Sequence, residues 1–235
     1  MTPSTIKTSQ HRLISLLFLA LSSLSACHSN RAPVYVDTAA LASLDLNKRA
    51  QTATDTKYRE LVQSLTLGEE PRSSSRLRDL YRQSSYYSPA DTSLDDANRA
   101  LIHAIEDGDV DLCSKLAHAI LQQNYTELYA HYAASYCSKV MMHDDLAVHH
   151  QHVLDGLMNS IKDSGDGRSI DTAIELLSLR ELRAFLDIEG YSAQDKRPVL
   201  VRGKNILEVI AVSNAGGKSE IFYFDLSSSI LPQMY

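Results

Sequence analysis

The sequence predicts an α+β fold, in which paired tetratricopeptide-like helices precede a small antiparallel β-sheet with one helix. Apolar residues recur at three- and four-residue steps between Leu94 and Ile161, as on the buried face of amphipathic helices. Runs of β-branched and aromatic residues separated by short turns follow after residue 172. At 235 residues, 44% of them hydrophobic, the chain is long enough for one domain with tails.

The helical segment divides into two pairs that superpose at a shift of 34 residues, which is the tetratricopeptide period. Small residues occupy equivalent positions, as Cys113 and Ala147 show. An ordinary four-helix array is the alternative, because most consensus aromatic and glycine positions are missing. Two pairs alone would leave apolar faces open, so we expect two short helices before residue 84 to cap them. The predicted repeat spans residues 94–161, with helices over 94–105, 110–121, 129–140 and 144–161.

Residues 172–227 form the second part of the predicted globular domain, which spans 55–227. Ser178 and Glu181 form a capping box that opens a helix ending at Glu189. Alternation at Leu207, Val209 and Ala211 gives the sheet an apolar face, which we expect to pack on the helices. The predicted strands are 174–177, 199–202, 206–212 and 220–226.

The first 27 residues have the pattern of a targeting segment. A basic start is followed by an apolar run from Leu13 to Leu21, which is too short to span a bilayer. The run ends in Leu24-Ser25-Ala26-Cys27, which resembles the bacterial lipoprotein signal. That resemblance implies that Cys27 becomes the lipid-modified N-terminus, followed by a flexible tether over residues 28–54. A plain secretory signal with a chance cysteine is the alternative.

The resemblance also implies where the mature chain resides. The residue after Cys27 is His28 rather than aspartate, which in Gram-negative bacteria implies sorting to the outer membrane, facing the periplasm. Removing Lys7 and Arg12 leaves 21 basic against 29 acidic residues, a net charge of −8. This charge argues against nucleic acid as a partner. The expected partners are the membrane, through the lipid on Cys27, and a protein or peptide of the cell envelope. No cofactor is expected.

The two remaining cysteines, Cys113 and Cys137, are predicted to form a disulfide. They lie on consecutive antiparallel helices, and their midpoint is residue 125 at the turn, so they stand at matching heights. An even pair in an oxidising compartment favours the bond. The alternative is two small buried side chains at a close helix contact.

Histidines supply the candidates for chemistry. His131 and His150 are nearly equidistant from the turn at residues 141–142 and could meet across the helix pair. Together with Asp166 they could serve acid–base catalysis. The alternative is that both histidines are packing residues and that Asp166 caps a turn. His149 and His152 share a helix face and are candidate metal ligands, although a solvated histidine-rich face is the simpler interpretation.

Tyrosines on the third helix of the repeat supply a candidate for binding. Repeat scaffolds bind peptides on their concave face, so Tyr129 and Tyr132 are candidate groove residues. Their alternative role is in the core.

A set of short motifs resembles the family known as domain of unknown function 4919 over residues 73–227. These motifs are Asn124-Tyr125, Ala130-His131, His150 before Gly156-Leu157, Ser160-Ile161, Ser164-Gly165-Asp166-Gly167 and Tyr223-Phe224-Asp225. The Ser-Gly-Asp-Gly block is the most specific of them. The resemblance implies a shared fold and export from the cytoplasm, and it carries no known catalytic residues. The sequence departs from a clean repeat at Met141-Met142, where a glycine turn is expected.

Two functions follow from these observations. The first is a membrane-anchored, periplasm-facing lipoprotein that acts as a non-catalytic peptide- or protein-binding scaffold. The second is a hydrolase or metal-dependent enzyme that uses His131, His150 and Asp166.

Overall fold

The computed structural model describes residues 52–67, 74–201 and 203–229. The predicted signal, Cys27 and nearly all of the tether lie outside these ranges. Within them, helices and one sheet confirm the α+β class. The helices are α1 (Ala53–Thr66), α2 (Ser74–Gln83), α3 (Thr92–Glu106), α4 (Val110–Gln123), α5 (Leu128–Val140), α6 (Asp144–Lys162) and α7 (Leu179–Ile188), and the strands are β1 (Ile174–Glu175), β2 (Tyr191–Val201), β3 (Lys204–Ser213) and β4 (Ser219–Asp225).

The two helix pairs, α3–α4 and α5–α6, end their first helices in the same way. Gly108 and Met142 are 34 residues apart, and both have positive φ, 72° and 61°. After the second of these, the N–H of His143 donates to the carbonyl of Ser138 at 2.8 Å, and the first turn has the same bond one repeat earlier. This is the Schellman arrangement that ends many helices. The 34-residue repeat is therefore present in the backbone, with methionine where glycine is expected.

Replacing Met142 by glycine is expected to raise the free energy of unfolding by about 0.5–1 kcal/mol. A left-handed conformation costs a residue with a Cβ atom about 1–2 kcal/mol, and the larger chain entropy of unfolded glycine cancels part of the gain. The methionine side chain is 87% exposed, so little packing is lost. Urea unfolding measures the difference, with Met142→Ala as the control that removes the side chain and keeps the strain. A glycine variant no more stable than the alanine variant would contradict this interpretation.

The helices α1 and α2 pack against the repeat as expected of a cap. Tyr58 of α1 is fully buried, and its hydroxyl accepts a hydrogen bond from the N–H of Tyr125 at 3.1 Å. A Cβ atom on Gly156 of α6 would lie 2.3 Å from the hydroxyl of Ser74, so α2 approaches α6 closely. Helix α1 begins at Ala53, after a capping box between Thr52 and Asp55, so the predicted tether boundary at residue 54 is slightly too late.

The sheet has the strand order β1-β4-β3-β2, and it differs from the prediction in two respects. Strand β1 pairs with β4 in parallel, so the sheet is mixed rather than antiparallel. Strand β2 begins at Tyr191, eight residues before the predicted start at Val199. Its early residues are exposed and polar, so they lack the alternation that marks a half-buried strand, and pairing with β3 holds them.

The inner face of the sheet and the helices share one core. Leu207, Val209 and Ala211 are buried in that core, as their alternation predicts. None of the helices in the described ranges is long and apolar enough to cross a bilayer.

Candidate binding cleft

His131 and His150 meet between α5 and α6, with their Nδ1 atoms 3.1 Å apart. The Nε2 atom of His131 lies 2.9 Å from the carbonyl oxygen of Tyr125. A carbonyl only accepts hydrogen bonds, so Nε2 carries the proton of the neutral ring. The Nδ1 atom of His131 must then accept from the Nδ1–H of His150. This assignment leaves the Nε2 atom of His150 as a hydrogen-bond acceptor.

Burial keeps both rings neutral. It lowers the pKa of His131 from 6.5 to about 3 and that of His150 to about 4, and neighbouring histidines lower both pKa values further. His131 has no exposed surface, so it cannot contact a substrate in this structure. The chain from Tyr125 through His131 to His150 therefore acts as a polar link between helices.

Asp166 does not join these histidines. It follows the C-terminal end of α6, and His150 lies twelve residues before that end, which is about 18 Å along a helix axis. Its carboxylate accepts hydrogen bonds from the hydroxyl of Thr172 at 2.5 Å and from the N–H of Arg168 at 2.9 Å. The predicted group of His131, His150 and Asp166 is thus not assembled as one site.

The other two candidate histidines have separate surroundings. The Nε2 atom of His149 lies 3.1 Å from the hydroxyl of Tyr125, whereas His152 is exposed. In the described part of the chain, no group of three or more histidine, cysteine, aspartate or glutamate residues is arranged to hold a metal ion.

The repeat surface around Tyr129 is covered by α7. The hydroxyl of Tyr129 donates to the carboxylate of Asp187, and the ring packs against the core. On the same helix, Arg183 forms an ion pair with Asp95 of α3 at 3.7 Å. Tyr132 remains at the surface, with 44% of its area exposed. The face on which a groove was predicted is therefore partly occupied by a helix of the same chain.

Cys113 and Cys137 form the predicted disulfide, with their Cα atoms 6.5 Å apart. The bond joins α4 to α5 across 24 residues of sequence. Closing a loop of that length stabilises a fold by about 3.5 kcal/mol in the chain-entropy model.

Two buried arginines, which the sequence did not single out, hold the start of α7. Arg180 pairs with Glu127 at 3.2 Å, and their side chains are only 5% and 6% exposed. Arg78 of α2 binds both carboxylate oxygens of Glu181, each at 3.1 Å. Glu181 also accepts the N–H of Leu177 at 2.6 Å. These contacts fix α7 against the helices.

A cleft of about 320 Å³ opens where the end of α6 meets α7 and the start of β2. Ligand pockets have volumes of roughly 300–1,000 Å³, so this one suits a small ligand. The rings of Tyr191 and Phe222 meet edge to face, with centroids 5.2 Å apart. The apolar part of the lining consists of Ile174, Phe185, Leu186, Tyr191 and Phe222.

The turn over residues 164–167 forms one wall of the cleft. A Cβ atom on Gly165 would lie 2.5 Å from the carbonyl oxygen of Thr172, so only glycine allows this approach. Gly167 has a φ of 66°, donates to that same carbonyl at 2.8 Å, and accepts from the N–H of Tyr223 at 2.9 Å. The turn is therefore bound on both sides and forms a fixed wall.

Charged side chains of both signs surround the mouth. Lys162 pairs with Glu189 at 2.7 Å, and Arg168 pairs with Glu220 at 2.8 Å. The guanidinium of Arg168 also lies 5.2 Å from the centroid of Phe222, within the range of a cation–π interaction. The hydrogen bond from the hydroxyl of Thr172 lowers the pKa of Asp166, so this carboxylate is ionised at neutral pH.

Comparison with known proteins identifies the family once this geometry is in view. A family model described as a domain of unknown function, DUF4919, matches residues 47–234. The chain belongs to the DUF4919 family. This confirms the predicted resemblance and extends it at both ends. No curated protein and no solved structure matches the chain at a significant level.

The DUF4919 match covers the whole cleft, and the Ser-Gly-Asp-Gly block shapes one of its walls. Of the lining side chains, the sequence had singled out only Asp166 as a candidate for chemistry. Phe185, Tyr191 and Phe222 read as ordinary helix and strand positions. Their convergence depends on packing between distant segments, which no local spacing records.

Proposed function

We propose that this chain is a lipid-anchored, periplasm-facing protein of the bacterial cell envelope that binds a ligand in the cleft beside residues 164–167. The observation that carries the proposal is the cleft itself. It combines an apolar floor with a few charged groups at its mouth, which is the composition of small-molecule sites. The helical repeat acts as the scaffold that holds α7 and the sheet in position.

The disulfide supports export from the cytoplasm. Such bonds persist in oxidising compartments and are rare in the reducing cytosol. The segment that ends at Cys27 supports lipid attachment, and His28 supports sorting to the outer membrane. Together these features favour a protein that stands on the membrane surface and faces the periplasm.

The alternative of a hydrolase or metal-dependent enzyme based on His131, His150 and Asp166 has less support. His131 is fully buried, and Asp166 lies with Thr172 and Arg168 rather than with the histidines. The binding function uses a site that the fold does form.

Metabolic labelling tests the anchoring. We expect the full chain, expressed in a Gram-negative host with an alkyne fatty acid, to carry the label and to fractionate with the outer membrane. The variant Cys27→Ser should lose the label completely, because its hydroxyl does not replace the thiol that takes the lipid.

The matched control is the double variant Cys113→Ala/Cys137→Ala, which keeps Cys27 and should remain labelled. Undiminished labelling of Cys27→Ser, or an unlabelled natural chain, would contradict lipid attachment at Cys27.

A further inference from the structure

We propose that the cleft binds a small zwitterion with an apolar side chain, that is, a free apolar amino acid or a short peptide built from such residues. This inference rests on the proposed binding function and specifies the ligand class of the same site.

The floor selects the side chain. Phe185, Tyr191 and Phe222 are aromatic, and Ile174 and Leu186 are aliphatic, so a ligand group that enters the cleft leaves water for an apolar surface. A polar side chain placed there would lose its hydrogen bonds to water without gaining partners. An aromatic or branched aliphatic side chain is the group that fits this surface.

The mouth selects the charges. The cleft is lined by two cations, Lys162 and Arg168, and by two anions, Asp166 and Glu189, so its own charge is zero. Each cation retains donors: the lysine ammonium has three N–H groups and the arginine guanidinium five, and each forms one of the ion pairs described above. A ligand with an ammonium and a carboxylate finds partners of both signs, whereas a ligand with one charge finds equal attraction and repulsion.

The charged groups are held in place before a ligand arrives. Arg168 is fixed by Glu220 and by the face of Phe222, and Glu220 also accepts a hydrogen bond from the hydroxyl of Tyr191 at 3.3 Å. Groups already ordered in this way lose little conformational entropy on binding, which favours affinity for a small ligand. The fixed turn at residues 164–167 adds to this preorganisation.

Calorimetric titration of the purified full chain tests the inference with four matched probes and one dipeptide. L-Phenylalanine has both charges and the ring, 3-phenylpropionate lacks the ammonium, phenethylamine lacks the carboxylate, and benzyl alcohol has no charge. We expect phenylalanine or the dipeptide Phe-Phe to bind at least tenfold more tightly than each of the other three probes. Whichever of the two binds more tightly distinguishes a free amino acid from a peptide.

Variants at the mouth complete the test. Arg168→Gln should weaken binding of the zwitterion about 10–100-fold, the range expected for lost hydrogen bonds to a charged group. The matched control is Arg197→Gln, which removes another cation of the sheet: its side chain is 59% exposed and pairs with Glu208 outside the cleft lining. Its affinity for the probes should not change.

The outcomes separate the inference from the function on which it rests. Equal affinity for benzyl alcohol and phenylalanine would overturn the zwitterion and keep a binding cleft for apolar molecules. Equal affinity for phenylalanine and either singly charged probe would also overturn it. No binding of any of the five compounds would overturn both the ligand class and the cleft as a binding site.

Discussion

Replacing Arg180 by methionine is expected to lower the free energy of unfolding by about 3–5 kcal/mol, the range seen when one partner of a buried ion pair is removed. The substitution keeps the unbranched stem and removes the charge. Glu127 would then remain ionised and 6% exposed without its cation. The carbonyl oxygens of Asp91 and Ser88, which the guanidinium binds at 3.0 and 3.3 Å, would lose a donor as well.

Arg183→Met is the matched control, because Arg183 lies one turn further along α7 and also faces Asp95. Its side chain is 57% exposed and the pair spans 3.7 Å, so we expect a loss below about 1 kcal/mol. Urea unfolding of both variants gives the comparison. Similar losses for the two would show that the buried arginine does not hold α7 as described. Adding Glu127→Gln to Arg180→Met should recover part of the stability, because the unpaired charge is removed.

The second large effect is a loss of stability in acid. Folding lowers the pKa of His131 from 6.5 to about 3 and that of His150 to about 4. The unfolded chain therefore binds more protons than the folded chain below about pH 6.5. Stability is complete above that pH and falls as the pH drops towards the two folded values. A buried histidine of this kind costs about 1.4 kcal/mol for each pH unit within its window.

His131→Gln isolates this effect, because an amide can donate to the carbonyl of Tyr125 and accept from His150 without titrating. Chemical unfolding between pH 4 and pH 6.5 should show a slope of stability against pH that is shallower by about 1.4 kcal/mol per unit. The control is His143→Gln, at an exposed position where the side chain makes no capping hydrogen bond. A slope unchanged in His131→Gln would mean that the buried ring is not the group that titrates on unfolding.

The sequence predicted those features that depend on position along a helix. Cys113 and Cys137, and likewise His131 and His150, stand at matching distances from a turn, so antiparallel pairing alone brings each pair together. Gly108 and the 34-residue period also located the turn at Met142. In each case, helix geometry converts spacing into proximity.

Features that depend on tertiary packing were not predictable in the same way. Arg180 lies within the capping box that starts at Ser178, where a charged residue reads as part of an exposed first turn. Its burial arises only when α7 packs on α3 and α5. The early part of β2 was missed because its side chains face solvent, and Asp166 was grouped with His150 because its distance along the helix axis was not weighed.

The account depends most on the location of the ligand site. Amide spectra of the ¹⁵N-labelled full chain, recorded during titration with L-phenylalanine, locate that site directly. We expect shifts in residues 162–168 and 185–191 and at Phe222. Shifts confined to the exposed face of α5 around Tyr132, with none around the turn at residues 164–167, would contradict it.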